Sequence, residues 1–322
     1  MGILVHSPYR TVSSDNDLRK APCNDGAVWV KGNLHTHTTR SDGPYTPQET
    51  VDAYAARGYG FLMLSDHDQI TDVSGLESRG MALIPGNEIS ADGPHFLHVN
   101  AHRLVAPHSD RQAVIDAACA DGGLAIACHP NWETSFNHCP QEQLDAWNGY
   151  TGIEIFNGVI SWLPGNPLAT DRWDRLLGQG RRVWGFANDD CHTASDLGIA
   201  WNVVQAEPGN ISDIVGALRE GRFYASTGVI IKQIRVSGRT IHIETVNAHR
   251  ILAFSDYARR LGYVDARTIT FTAPEDGMNR YVRFECWGAA QDMAWTQPFF
   301  IEHEAQRGSK AGKPCTRRLA RA

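Results

Sequence analysis

The stretch "AVWVKGNLHTHTTRSDG", residues 27–43, opens as an apolar run, passes through two histidines two apart and closes on Ser-Asp-Gly. Side chains on a strand repeat every two residues, so His35 and His37 share a face, and Asp42 follows on the turn. In a chain of 322 residues with 14 histidines, such a pair carries information only if other segments supply partners. They do. Successive apolar runs up to about residue 206 end on metal-capable side chains. "YGFLMLSDHD" carries Asp66, His67 and Asp68, "MALIPGNEI" carries Glu88, and "HFLHVNA" carries His95 and His98. "GLAIACHP" carries His129, and "RRVWGFANDDCH" carries Asp189, Asp190 and His192.

Between these runs lie helix candidates. "TPQETVDAYAARG" has Thr46 as N-cap, Pro47 at the first helical position, Glu49 completing a capping box and Gly58 at the stop. "SDRQAVIDAACADGG" starts at Ser109 and ends on glycines in the same way. Strands alternating with helices predict a parallel α/β fold, as a barrel or an open sheet. In both, functional side chains collect at the carboxyl ends of the strands. From about residue 222 the pattern changes to period two with short turns, as in "GVIIKQIRVSGRTIHIETVNAHRILAFS", which predicts a small antiparallel β domain. The expected organisation is an N-terminal extension over 1–26, the α/β unit over 27–226, the β domain over 227–303 and a basic disordered tail over 304–322.

A net charge of −6 does not favour nucleic acid as a bulk partner. No run approaches 18 apolar residues, and the N-terminus lacks a secretion signature and the myristoylation pattern, so no membrane association is expected. The 7 cysteines show no CxxC spacing, which predicts reduced thiols and a cytoplasmic setting.

Imidazole with carboxylate suits Zn, Mn or Fe(II), and the lack of a thiolate cluster speaks against a structural zinc site. The candidate ligands are His35, His37, Asp42, His67, Glu88, His98, His129, Asp190 and His192, enough for two or three divalent ions. His95 is an alternative to His98. The ordered set "HTH…SDG", "SDH", "PGNEIS", "LHVNA", "CHP" and "DDCH" resembles the polymerase and histidinol phosphatase (PHP) superfamily of metal-dependent phosphoesterases, over residues 28–226. The resemblance implies a distorted (β/α)7 TIM-like barrel with a trinuclear site at its mouth, followed by the small antiparallel β domain of one branch. It implies that His35, His37, Asp190 and a bridging Glu88 hold one ion. Asp42, His67 and His192 hold a second, and Glu88, His98 and His129 a third.

The expected activity is hydrolysis, by metal-bound hydroxide, of a phosphate ester of a small metabolite, a nucleotide or a short oligonucleotide. Three ions set against three carboxylates and a hydroxide leave positive charge that suits a phosphate dianion. Asp190, His192 and Glu88 are the catalytic candidates, and Arg40 and Asn157 the substrate-binding ones. Trp132, His138 and Trp162 are candidates for the pocket wall, and Asp66, Asp68 and Asp189 for orienting imidazoles. Lys31 points either to the mouth or to the base, and Glu154 is either a structural ion-pair partner or part of the site. Two other readings remain: a carboxylic ester or carbamate hydrolase on the same site, and a non-catalytic scaffold that binds a partner.

Overall fold

A computed structural model of the chain describes residues 3–10 and 28–303. The expected tail and most of the expected N-terminal extension lie outside these residues. The first half of the described chain comprises β1 (Ile3–His6), β2 (Val28–Asn33), α1 (Pro47–Ala55), β3 (Phe61–Met63), β4 (Ala82–Ile84), β5 (Gly86–Ile89), β6 (Phe96–Val99), α2 (Arg111–Ala120), β7 (Leu124–Ala127), α3 (Gln141–Ala146) and β8 (Gly152–Asn157). It continues with α4 (Thr170–Gly178), β9 (Trp184–Asn188), β10 (Trp201–Ala206), α5 (Ile211–Glu220) and β11 (Phe223–Ser226). The remainder is all strand apart from one short 3₁₀ turn: β12 (Ile231–Ser237), β13 (Thr240–Thr245), β14 (Arg250–Ser255), β15 (Arg259–Val264), β16 (Thr268–Thr272), β17 (Tyr281–Trp287), β18 (Met293–Thr296) and β19 (Phe299–His303). The fold is therefore mixed α/β with a strand-rich C-terminal part. None of the described helices is long and apolar enough to cross a membrane.

Local signals act as written at α1. The Thr46 side chain accepts from the Glu49 N–H while Glu49 reaches back to the Thr46 backbone, with Pro47 inside the first turn. At α2 the cap is Asp110, one residue beyond Ser109, because the Asp110 carboxylate accepts from the Gln112 N–H. Gly221, at φ 78°, closes α5 in the left-handed region, and a Cβ there would meet the Trp184 ring.

Strands β2, β3 and β4 are parallel, as are β7, β8 and β9. The expected all-parallel order fails at β5–β6–β7, which pair antiparallel, and again at β10, which pairs antiparallel with both β2 and β11. Only Ser90–His95 separates β5 from β6, too short a link for the crossover that parallel pairing needs. One sheet runs β1-β19-β17-β18-β11-β10-β2-β3-β4, a second runs β5-β6-β7-β8-β9, and β12-β13-β16 form a third. The first sheet passes from β11 to β18 without a break, so residue 226 is not a break in hydrogen bonding. Ile3–His6 lies within that sheet, beside β19.

The two larger sheets share a core in which Val30, Phe61, Leu97, Ile126, Phe186 and Phe223 pack together. They also meet through two isolated parallel bridges, Thr36↔Cys191 and His67↔Glu88. Thr36, Cys191 and His67 lie just past the ends of β2, β9 and β3 and Glu88 lies within β5, so the bridges draw the histidine-rich segments onto one end of the core.

Candidate metal centre

Backbone bonds assemble the site before any side chain is considered. The Asp190 N–H donates to the His35 carbonyl at 2.9 Å, the Ser65 N–H to Thr36 at 2.9 Å, and the Glu88 N–H to Ser65 at 3.1 Å. Four segments far apart in sequence are thereby laid edge to edge. His129, Asp190 and Asp68 adopt positive φ (29°, 55° and 51°), a conformation that costs side-chain-bearing residues on the order of 1–3 kcal/mol and that clusters at functional sites. The turn after His37 folds back so tightly that a Cβ at Gly43 would overlap the His37 carbonyl. Asp66 holds the same turn by accepting from the Thr38 N–H at 2.7 Å and the Ser41 hydroxyl at 2.8 Å. This brings Asp42 within 3.7 Å of His37 and 3.5 Å of both His67 and His192.

Glu88, 1% exposed, is the hub. Its Oε2 lies 3.3 Å from His35 Nε2, 3.4 Å from His37 Nε2 and 2.9 Å from His67 Nδ1. Its Oε1 lies 2.9 Å from His95 Nδ1 and 3.4 Å from His129 Nε2. Asp190 Oδ1 sits 3.1 Å from His35, 3.2 Å from His37 and 3.3 Å from His192. Eight of the nine expected ligands therefore converge.

His98 does not, and this corrects the expectation. Leu97, opposite Glu88 in the β5–β6 ladder, faces the shared core, so the period of two turns His98 to the other face together with Phe96. There His98 Nε2 is 3.5 Å from Asp121. His95, in phase with Leu97, takes the place beside Glu88. Strand alternation puts the two on opposite faces, and the pairing of Leu97 with Glu88 decides which face meets the site.

Other expectations resolve by position. Arg40 is exposed on its loop and does not line the cleft over the site. Asn157 is buried, and its amide donates to Glu154 at 2.8 Å and Asp190 at 3.1 Å, so it braces carboxylates and does not face a substrate. Lys31 lies between the rings of Tyr59 and Trp201, 4.0 and 3.9 Å from their centroids. Asp68 accepts from the Ser90 N–H and hydroxyl, and Asp189 from Tyr54 and the N–H groups of Gly198 and Ala200, so both tie loops and touch no imidazole. Trp132 and Trp162 line the cleft. His138 Nε2 accepts from the His95 N–H at 3.1 Å, and burial beside His129 and His95 pulls its pKa down to about 2, the neutral form that this bond requires.

Glu154 belongs to the site. It accepts from His35 Nδ1 at 2.9 Å, the His129 N–H at 2.9 Å and Asn188 at 2.8 Å. The sequence signal was a charge inside the apolar run "GIEIFN". The contact fixes the His35 tautomer, with Nδ1–H on Glu154 and Nε2 aimed inward. Cys128, also buried nearby, has its thiol pushed up by burial and donates to the Ile126 carbonyl, as a protonated thiol does.

The donor set fits divalent cations. His35 Nε2, His37 Nε2, His67 Nδ1, Glu88 Oε2 and Asp190 Oδ1 are all buried without a hydrogen-bond partner, and they face one another. Buried polar atoms are nearly always satisfied, so a convergent unsatisfied set marks the place of a ligand. Five groups among the described residues have ligand atoms mutually within 4.8 Å: His35, His37 and Asp190; His37, Asp42, His67 and His192; His95, His129 and His138; and two that include the buried Cys128, with His35 and Glu154 and with Glu88 and His129. Burial opposes charge on these groups, yet their mutual attraction prevails. His67 is pushed up to about 10 and His192 to about 9, chiefly by hydrogen bonds to Asp42, while Glu88 and Asp190 are held well below the carboxylate range by the imidazoles around them.

Residues 181–223, which include Asp190 and His192, match the family model described as PHP-associated. A solved two-domain structure from Bacteroides vulgatus, described as containing a predicted PHP-like metal-dependent phosphoesterase, superposes with a TM-score of 0.50 at 18% identity, covering 88% of this chain and 96% of that one. The likeness to that structure is one of fold. The chain is also 38% identical over 78 residues to a 5'-3' exoribonuclease of Haemophilus influenzae, a match covering 22% of this chain and 28% of the relative. It is 37% identical over 71 residues to a 3',5'-nucleoside bisphosphate phosphatase of Chromobacterium violaceum, covering 20% and 25%. The chain thus matches about a quarter of the length of these curated relatives.

Proposed function

We propose that this chain is a metal-dependent hydrolase that cleaves a phosphate ester of a small metabolite or nucleotide. The observation that carries the reading is the set of buried, mutually facing, unpartnered imidazole and carboxylate atoms around Glu88 and Asp190. His35, His37, Asp190 and Glu88 would hold one divalent ion, and Asp42, His67 and His192 a second. Glu88 with His95 and His129 would hold a third. When bound, divalent ions supply Lewis-acid polarisation of a phosphoryl oxygen and a lowered pKa for water.

The chain's own residues do the rest. Glu154 keeps the His35 imidazole aimed inward, and Asn157 ties Glu154 to Asp190, which fixes the angle of both carboxylates. Glu154 is a fourth carboxylate beside the three of the sequence reading, so it narrows the positive excess that draws a phosphate dianion without cancelling it. Asp42 and His192 stand on the solvent side of the cluster, their side chains 52% and 28% exposed, where an entering phosphate ester would first meet the site. The fold reading extends to a distorted barrel, supported by the shared core of the two large sheets and by the bridges between them.

The test is to count Mn, Zn and Fe in purified protein and to follow phosphate release from general phosphoesters. No release from any phosphoester by fully loaded protein would overturn the proposal. His37→Ala and Asp190→Asn are expected to lose both metal and activity. His95→Ala is expected to lower the metal content, and His98→Ala to leave it unchanged.

A further inference from the structure

The cleft over the cluster encloses about 530 Å³ and has two unlike sides. One is the ligand set. The other is apolar: Trp132, Val159, Ile160, Trp162 and Leu163. Among the described residues, no lysine or arginine lines it. Trp162 and Leu163, 67% and 42% exposed, carry this apolar side out to solvent, and contiguous apolar patches of this kind mark binding grooves.

This wall is a built structure. Gly165 (φ 144°) bridges to Trp132, where any Cβ would overlap the backbone of Asn131 and Trp132. The Asn166 N–H donates to the Asn131 carbonyl at 2.9 Å, and the Asn131 amide donates to the Leu168 carbonyl at 2.8 Å. The loops that carry the two tryptophans are thus pinned to each other. Beside the ligand set the polar lining is Thr193, Ser195 and Asp196, the Thr193 and Ser195 hydroxyls 2.8 Å apart and the Asp196 carboxylate accepting from the Thr193 hydroxyl at 3.0 Å, so it offers no positive charge.

We infer that the substrate is a monoester carrying a single phosphoryl group on a planar, uncharged leaving group, which lies against the Trp132–Trp162 wall while the phosphoryl group meets the ligand set. The inference rests on the phosphoesterase reading above and specifies its substrate class. A second phosphate on the leaving group would be desolvated against apolar side chains with no cation to pair it, whereas a flat ring gains stacking and apolar burial there. In the reaction the bond between phosphorus and the ester oxygen breaks and a water oxygen bonds to phosphorus. One proton of that water goes to the leaving alcohol.

The test compares benzyl phosphate with ethyl phosphate, two primary alkyl esters that differ in the ring, and adenosine 5'-monophosphate with adenosine 3',5'-bisphosphate. Benzyl phosphate is expected to exceed ethyl phosphate at least tenfold in kcat/KM, and the bisphosphate to be no better than the monophosphate. Trp162→Ala is expected to shrink the benzyl-to-ethyl ratio at least threefold. Titration calorimetry with benzylphosphonate and ethylphosphonate reads the same preference as binding, independent of turnover. Equal rates for the benzyl and ethyl esters, an unchanged ratio in the variant, or a tenfold preference for the bisphosphate would overturn this inference alone. Phosphate release from none of the four esters by metal-loaded protein would overturn the phosphoesterase reading itself.

Discussion

Two buried polar clusters in this molecule make an instructive pair. Where α4 packs on the C-terminal strands, Arg283 donates to both oxygens of Asp174 at 2.7 and 2.6 Å and to Glu285 at 2.8 Å, and the Tyr281 hydroxyl donates to Asp174 at 2.8 Å. The guanidinium lies near the rings of Trp173 and Phe254, 5.2 and 5.0 Å from their centroids. None of these polar atoms lacks a partner. The inner part of the cluster around Glu88 is as deeply buried, and the cluster is richer in charge, yet its innermost atoms face one another unpaired. A closed network fastens elements together, while an open one is a site with a ligand to take. Burial and charge alone do not separate the two; hydrogen-bond completeness does.

The largest effect should come from opening the closed cluster. Asp174→Ala leaves a buried guanidinium short of its partner and is expected to lower the unfolding free energy by about 3–5 kcal/mol in urea titrations. A loss below about 1 kcal/mol would remove the contrast. Closing the open cluster is the converse experiment. A divalent ion at a hundredfold excess over its Kd should stabilise the protein by about 2.7 kcal/mol, seen as a raised Tm. Asp190→Asn should abolish that rise, and Asp174→Ala should keep it. Smaller again is Glu154→Gln, which keeps the shape but weakens the hold on His35. A loss of about 10–100-fold in metal affinity is expected, and an unchanged affinity would return Glu154 to a purely structural role.

The smallest effect is that of pH on the metal-free protein. His67 and His192 have folded pKa values raised to about 10 and about 9, from an ordinary 6.5. Their contribution to stability is full below pH 6.5 and is lost as pH rises through 9 to 10. Ligation requires neutral imidazoles, so metal affinity should rise over the same window. Melting curves with and without metal should therefore diverge as the pH increases, and parallel curves would show that these rings do not meet the ion.

Much of this was written locally. The capping box at Thr46–Glu49 needs only neighbours, and the strand-end motifs named eight of the converging ligands because each lies just past an apolar run. Legibility stopped where partners are distant in the chain. His95 and His98 sit in one short segment, and only the register of β6 against β5 selects between them. Glu154 reads as a stray charge until β8 lies beside β9 and faces His35. Asn157 reads as a pocket residue until its amide is found between two carboxylates.

By itself, then, the sequence determined which chemistry this protein can hold: imidazoles and carboxylates at successive strand ends, with no thiolate cluster. Only the tertiary structure decided which of those groups share a centre, that β5 to β7 run antiparallel, that the C-terminal strands extend the same sheet, and that a tryptophan wall faces the ligands. The physical reason is range. Capping and strand alternation act over a few residues, while ligand geometry depends on strand order and register between segments as far apart as His35 and Asp190.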